Sequence, residues 1–142
     1  KITVPTCKSF KYVLDAVGDP WIRAKLQFFV TIARIAQPFL EAYQMDKPML
    51  PFLAPGLGVL VKDLMSCYMK PEIMSKAKSV TALVSIRFDK ENFLDAGKVN
   101  VGFSASQTLL KAGASDRDRF AFRMACRDCM ITVVRSCLRN HL

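Results

Sequence analysis

The sequence predicts a mainly α-helical domain, an irregular bundle of five or six helices with a short extended or hairpin segment around residues 82–103. Apolar residues recur at three- and four-residue spacing along most of the chain. Helix start and stop signals flank those stretches, and alternation with a period of two is confined to one short region. With 142 residues and 51% apolar composition, one buried core is expected. Residues 1–142 are therefore predicted to form a single helical domain.

The first strongly periodic segment is AVGDPWIRAKLQFFVTIARIAQPFLEAYQ. Asp19 is expected to cap this helix, and Pro20 to occupy its first position. Apolar residues follow helical spacing on two faces: Ile22, Leu26, Phe29, Ala33, Ala36 and Leu40 on one, and Phe28, Ile32, Ile35 and Phe39 on the other. Because only a narrow polar stripe remains, the helix is predicted to be central and buried on most sides. Pro38 predicts a kink or break near residues 34–37.

The middle of the chain combines a proline-rich connection with changing periodicity. Pro48, Pro51 and Pro55 follow one another closely, and helical spacing then resumes until Pro71, where a further short helix is expected. Alternating apolar residues occur between 82 and 103: Val84, Ile86 and Phe88, then Val99, Val101 and Phe103. Such short alternation is compatible with a small hairpin and equally with a long ordered loop.

The last third carries the clearest helix boundaries. Helical spacing returns in SASQTLLKAG, where Gly113 has the position of a C-terminal stop. Ser115 and Asp118 form a variant of the capping box, which places acidic charge on the positive end of the helix dipole. One long helix is predicted from there to the end of the chain.

The charge balance favours a polyanionic partner. The chain has 21 Lys and Arg against 12 Asp and Glu, a formal net charge of +9, and such a surface attracts nucleic acid at long range. The alternative is a basic segment balanced by acidic neighbours elsewhere in a larger protein. Every basic residue of the last helix is arginine, whose planar fork suits phosphate. These candidate DNA contacts are Arg117, Arg119, Arg123, Arg127, Arg135 and Arg139. Their spacing spreads them around the helix, so an ordinary solvated face is the alternative.

Four residues near the end have the composition of a zinc site: Cys126, Cys129, Cys137 and His141. They share one helix face, but Cys126 and His141 are about 22 Å apart along a straight helix. Zinc holds every ligand atom within about 2.3 Å, so one helix cannot gather all four. Packing of the cysteines as small apolar residues is predicted instead. The five cysteines, which include Cys7 and Cys67, lack framework spacing, and this pattern suits free thiols in a reducing compartment.

The sequence predicts no enzyme in this segment and no cofactor. A Ser/His/Asp or Cys/His arrangement requires a histidine as general base, and the chain has a single histidine. No glycine-rich phosphate loop is present in the sequence. No apolar run reaches the roughly 18 residues of a membrane helix, so no membrane partner is expected. The chain begins at Lys1 without a recognisable leader, and we expect it to be a fragment of a larger protein.

The stretch AKLQFFVTIARIAQPFLEAYQMDKPMLPFL, continued by LVKDLMSCYMKPEIM and KENFLDAGKVNVGF, resembles part of the hAT transposase superfamily. The similarity covers most of the chain. It implies a helical insertion within an RNase H-like catalytic domain whose metal-binding carboxylates, acting with magnesium, lie elsewhere. It also implies a nuclear, DNA-associated parent protein of a class that host genomes domesticate; cytoplasmic residence is the alternative. The Cys-x-x-His motif of that region is absent here, where CRDC stands, and no catalytic residue is carried over.

Two functions are therefore expected. The first is a non-catalytic helical region of a transposase-derived protein that contributes DNA-backbone contacts, subunit contacts or both. The alternative is a protein interaction or oligomerisation scaffold without a nucleic-acid role, in which exposed apolar patches meet other domains of the parent or another copy of the chain.

Overall fold

The structure, a computed structural model, describes residues 7–44 and 50–141, and the side chains of residues 7–44 and 51–139. This part of the chain contains helices and no strand, so the predicted mainly α fold is confirmed. The seven α-helices are α1 (Lys8–Val17), α2 (Ile22–Tyr43), α3 (Leu53–Ser66), α4 (Pro71–Lys76), α5 (Val80–Val84), α6 (Phe103–Lys111) and α7 (Asp116–His141). The prediction of five or six helices missed α1, a ten-residue amphipathic helix.

The core is built around α3. This helix packs against α2 and α7, and the short helices α4 and α5 lie beside it, while α6 packs against α2. Nine side chains are almost completely buried: Val61, Met65, Tyr68, Met69, Val99, Val101, Leu109, Met130 and Val134. They come from helices and loops far apart in sequence, which indicates one continuous core. Helix α6 lies beside α2 on the surface of this core, and α7 packs on the other side of α3.

The segment between α5 and α6 is an ordered loop rather than a hairpin. It contains two short 3₁₀ turns, Lys90–Asn92 and Ala96–Lys98, and one isolated bridge joins Phe93 to Met69. The backbone N–H groups of Leu94 and Asn100 donate to carbonyl oxygens at the end of α3 at 2.8 Å. Val99 and Val101 are buried in the helical core, and Ile86 and Phe88 pack against it, whereas Val84 and Phe103 are exposed. The inward-facing residues thus find their apolar contacts in the helical core rather than in a second strand.

Helix α2 departs from its predicted start and burial. It begins at Ile22, because the Asp19 carboxylate accepts the Trp21 N–H at 2.8 Å and forms a turn before the helix. It continues through Pro38 without the predicted break. Its only buried side chains are Ala24 and Phe28, so the prediction of burial on most sides is wrong. Helices α3 and α6 cover one face, and the opposite face has no cover within the described part of the chain.

The predicted boundaries of the last two helices are confirmed. After α6, Gly113 has φ +71°, and Ala114 N–H donates to Leu109 O at 3.0 Å, the hydrogen bond of a Schellman motif. Before α7, Ser115 N–H donates to the Asp118 carboxylate, and Asp118 N–H donates to Ser115 Oγ, both at 3.1 Å. The Ser115 hydroxyl also donates to the Asp118 carboxylate, at 2.6 Å, and this hydrogen bond together with the one from the Ser115 N–H holds the pKa of Asp118 below its usual value.

Candidate functional site

Two of the six candidate arginines contact the protein body. Arg123 donates to the Val99 carbonyl oxygen at 2.6 Å. The Arg127 guanidinium lies 5.1 Å from the centre of the Phe93 ring and pairs with Asp128 at 3.1 Å. Both arginines therefore hold α7 against the ordered loop, and their contacts within the chain compete with contacts to phosphate.

The remaining four arginines are more accessible. Arg119 pairs with Asp116, and Arg135 is exposed although its guanidinium lies 5.1 Å from the centre of the Phe88 ring. At 100° per residue, Arg117 and Arg135 share one side of α7, with Arg139 about 40° away. These three form no ion pair with the described residues. The structure therefore divides the six arginines into inward and outward groups, and contact with DNA remains a prediction.

A groove of about 730 Å³ lies between α2 and α6. Arg23 and Lys111 supply its positive charge, and no acidic residue is among its lining residues. Thr108 Oγ1 donates to Gln27 Oε1 at 2.5 Å across the groove, which leaves the Gln27 amide N–H groups as donors. Sequence periodicity gave no sign of this basic groove, because its two sides are about 80 residues apart in the chain.

The cysteines lie on the core side of α7. Cys126 is buried, and Cys129 and Cys137 are half-buried; the side chain of His141 lies outside the described residues. Within the described ranges, no three His, Cys, Asp or Glu side chains are grouped so that they could hold a metal ion. Burial raises the pKa of the Cys67 thiol and raises that of Cys126 to about 12.

The thiols should differ sharply in reactivity. A pKa of about 12 leaves almost no thiolate on Cys126 at pH 8, and the thiolate is the reactive form. Exposed Cys7 should react first with a disulfide reagent, whereas Cys126 should react only after unfolding. Mass spectrometry of the native and denatured chain measures this order. Fast labelling of native Cys126 would contradict the described burial.

A large uncovered apolar surface lies on α2. Its outer stripe, as we name it, consists of Leu26, Phe29, Val30, Ala33 and Leu40. The four large side chains are 59%, 56%, 49% and 53% exposed, in that order. The stripe lies on the side of α2 opposite the core-facing Ala24 and Phe28. The helix is thus apolar on two opposite faces, of which one is covered.

Helix α1 and a groove on the core-facing side of α2 present further apolar surface. No side chain of α1 is buried, and Tyr12, Val13, Leu14 and Val17 are each more than half exposed. Between α2 and α3 lies a groove of about 380 Å³ lined mainly by apolar side chains, among them Ile35, Phe39 and Leu60. None of the described helices has the length and apolar character that spanning a bilayer requires.

Comparison with known proteins gives no relative. No protein-family model matches the chain, and neither the curated proteins nor the solved structures contain a significant match. The resemblance to hAT transposases consequently remains a prediction. The features of the chain that bear on function are the outer stripe, the basic groove and the outward-facing Arg117, Arg135 and Arg139.

Proposed function

We propose that this chain is a non-catalytic assembly module of a transposase-related protein, which makes protein contacts through the outer stripe of α2. One observation carries the proposal: α2 is apolar on two opposite faces, and only one of them packs against the described domain. A helix that is apolar around most of its circumference is normally buried. Continuous exposed apolar patches of this kind mark contact surfaces.

The energetics favour covering the stripe. Its four large side chains expose on the order of 100 Å² each, and burial of apolar surface stabilises by about 25 cal/mol per Å². Complete cover would therefore contribute roughly 10 kcal/mol before the cost of association, which is itself several kcal/mol. No comparable gain is available on the outer side of α7, where charged residues such as Arg117, Asp128 and Arg135 are exposed.

Site-specific photo-crosslinking tests the assembly function. A photoreactive phenylalanine analogue replaces Val30 in the outer stripe or, as the matched control, Val133, an exposed valine on α7. In cells expressing the chain, the Val30 variant should crosslink to a discrete protein partner, which is identified by mass spectrometry. A Leu26→Glu change should abolish the product, because it places charge within the apolar contact. Equal crosslinking from both positions, or none from Val30, would overturn the proposal.

A second candidate function is contact with the DNA backbone. Arg117, Arg135 and Arg139 lie on the outward side of α7 without an ion pair in the described part of the chain. Arginine forks at such positions can bind phosphate oxygens, and these contacts carry no sequence information. The basic groove between α2 and α6, whose lining includes no acidic residue, offers a second surface for the same polyanion.

Salt dependence tests the DNA candidate. Each phosphate contact releases counterions, so the logarithm of affinity should fall linearly with the logarithm of salt, by about 0.9 per contact. Replacing Arg117, Arg135 and Arg139 by alanine should weaken duplex binding and reduce the slope by up to about 3. The matched control removes three exposed lysines instead: Lys62, Lys76 and Lys90. Equal losses in both variants would mean that net charge alone acts, and no binding at about 50 mM salt would exclude the candidate.

A further inference from the structure

The two leucines that end the outer stripe are placed symmetrically about its centre. Leu26 and Leu40 each lie seven residues from Ala33, which is the spacing of helices that pair along a shared seam. The stripe is about 21 Å long at 1.5 Å per residue. Its centre is occupied by the smallest side chain of the set, so a second helix can approach closely there. These features match a surface that can contact a copy of itself.

We propose that the outer stripe binds a second copy of this chain, with the two α2 helices antiparallel about a two-fold axis at Ala33. This inference rests on the proposed assembly function and names its partner. In a two-fold contact, residue i faces residue j and j faces i. Leu26 therefore faces Leu40 of the second copy, Phe29 faces Gln37, and the two Ala33 residues meet at the axis.

Charge at the edge of the stripe specifies the antiparallel direction. Arg23 and Glu41 are 18 residues apart, which is five full helical turns, so they lie on the same side of α2. Antiparallel pairing places each Arg23 within about two residues of the second copy's Glu41. Arg23 makes no ion pair with the described residues, and Glu41 accepts a hydrogen bond from Gln37 at 2.6 Å. Parallel pairing would instead leave each Arg23 about 27 Å along the axis from the second copy's Glu41, so the two charges could not pair.

The positive charge of Arg34 lies near the two-fold axis and opposes dimerisation. It lies on the same side of α2 as Arg23 and one residue from Ala33, so the antiparallel dimer brings its guanidinium towards that of the second copy. Like charges in this position weaken association. Removing the charge with Arg34→Gln should consequently lower the dissociation constant of the dimer. If the stripe instead binds a different protein, there is no reason to expect this increase in self-association.

The available area fits a dimer better than closure by α1. The stripe buries on the order of 400 Å² per copy, about half of the roughly 800 Å² per partner of a standard interface. The ten residues of α1 extend about 15 Å, so α1 is too short to cover the 21 Å stripe. With the stripe alone buried, we expect dissociation constants in the micromolar range, at the weak end of specific interfaces.

Disulfide trapping tests the two-fold axis. Helix axes 8–10 Å apart, with Cα atoms 2.3 Å from each axis, place the two Ala33 Cα atoms about 3.5–5.5 Å apart, within or close to disulfide range. In a Cys7→Ser background, which removes the exposed native thiol, the Ala33→Cys chain should form a covalent dimer on oxidation. Ala125→Cys, an exposed alanine on α7, is the matched control and should give no covalent dimer.

A charge exchange tests the direction of the helices. Arg23→Glu and Glu41→Arg should each weaken dimerisation by about tenfold in sedimentation equilibrium, and the double variant should recover most of the loss. If Val30 crosslinks to a different protein and Ala33→Cys gives no dimer, the second-copy inference fails while the assembly function stands. If Val30 crosslinks to no protein, both fail. A covalent Ala33→Cys dimer without recovery in the double variant would overturn the antiparallel arrangement.

Discussion

Replacing Phe28 by alanine is expected to lower the free energy of unfolding by about 3–5 kcal/mol. Phe28 is 3% exposed and lies on the covered face of α2. Its removal loses the transfer free energy of a buried aromatic ring and leaves a cavity that the surrounding helices can fill only in part. Urea denaturation followed by circular dichroism measures the change. A loss below about 1 kcal/mol would mean that this face of α2 does not pack on the core as described.

The adjacent residue provides the control. Phe29 is 56% exposed and belongs to the outer stripe, so Phe29→Ala should change the stability of the monomer by no more than about 0.5 kcal/mol. The same change should weaken assembly, because it removes one of the largest side chains of the contact. The two neighbouring phenylalanines thus separate the folding role of α2 from its proposed function. Equal destabilisation by both changes would contradict the assignment of the two faces.

Gly102→Ala is expected to destabilise the chain by about 2–6 kcal/mol, because it combines backbone strain with overpacking. Gly102 has φ +89° and precedes α6. A Cβ atom at this position would lie 2.1 Å from Thr31 Oγ1 on α2, so either α6 or α2 must move. The change should also distort the basic groove between these helices and reduce any binding of DNA there.

Substitutions at two other glycines distinguish the two causes of this loss, backbone strain and overpacking. Gly113 has φ +71° with open space around its missing Cβ, so Gly113→Ala should cost only the roughly 1–2 kcal/mol of a left-handed backbone. Gly97 has neither a positive φ nor a neighbour within 4 Å, and its replacement should have little effect. Thr31→Ala should recover part of the Gly102→Ala loss in a double-mutant cycle. If Thr31→Ala recovers none of the lost stability, backbone strain alone accounts for the destabilisation by Gly102→Ala.

Local chemistry in the sequence was sufficient to predict the helical class and several boundaries. Ser115 and Asp118 define the start of α7 because their side chains satisfy N–H groups only a few residues away. Gly113 ends α6 because a left-handed residue is needed immediately after it. The alternation in residues 82–103 was ambiguous, since burial in a helical core and pairing in a hairpin produce the same short pattern.

By itself, the sequence determined the helical class, the end of α6, the start of α7 and the two apolar faces of α2. Only the tertiary structure decided that one of those faces is uncovered, that Arg123 and Arg127 turn towards the ordered loop, and that Arg23 and Lys111 line one groove. The physical reason is that helical periodicity depends on neighbours three and four residues away. Which element covers a face, or which partner an arginine finds, depends on residues that are distant in the chain and meet only in the packed bundle.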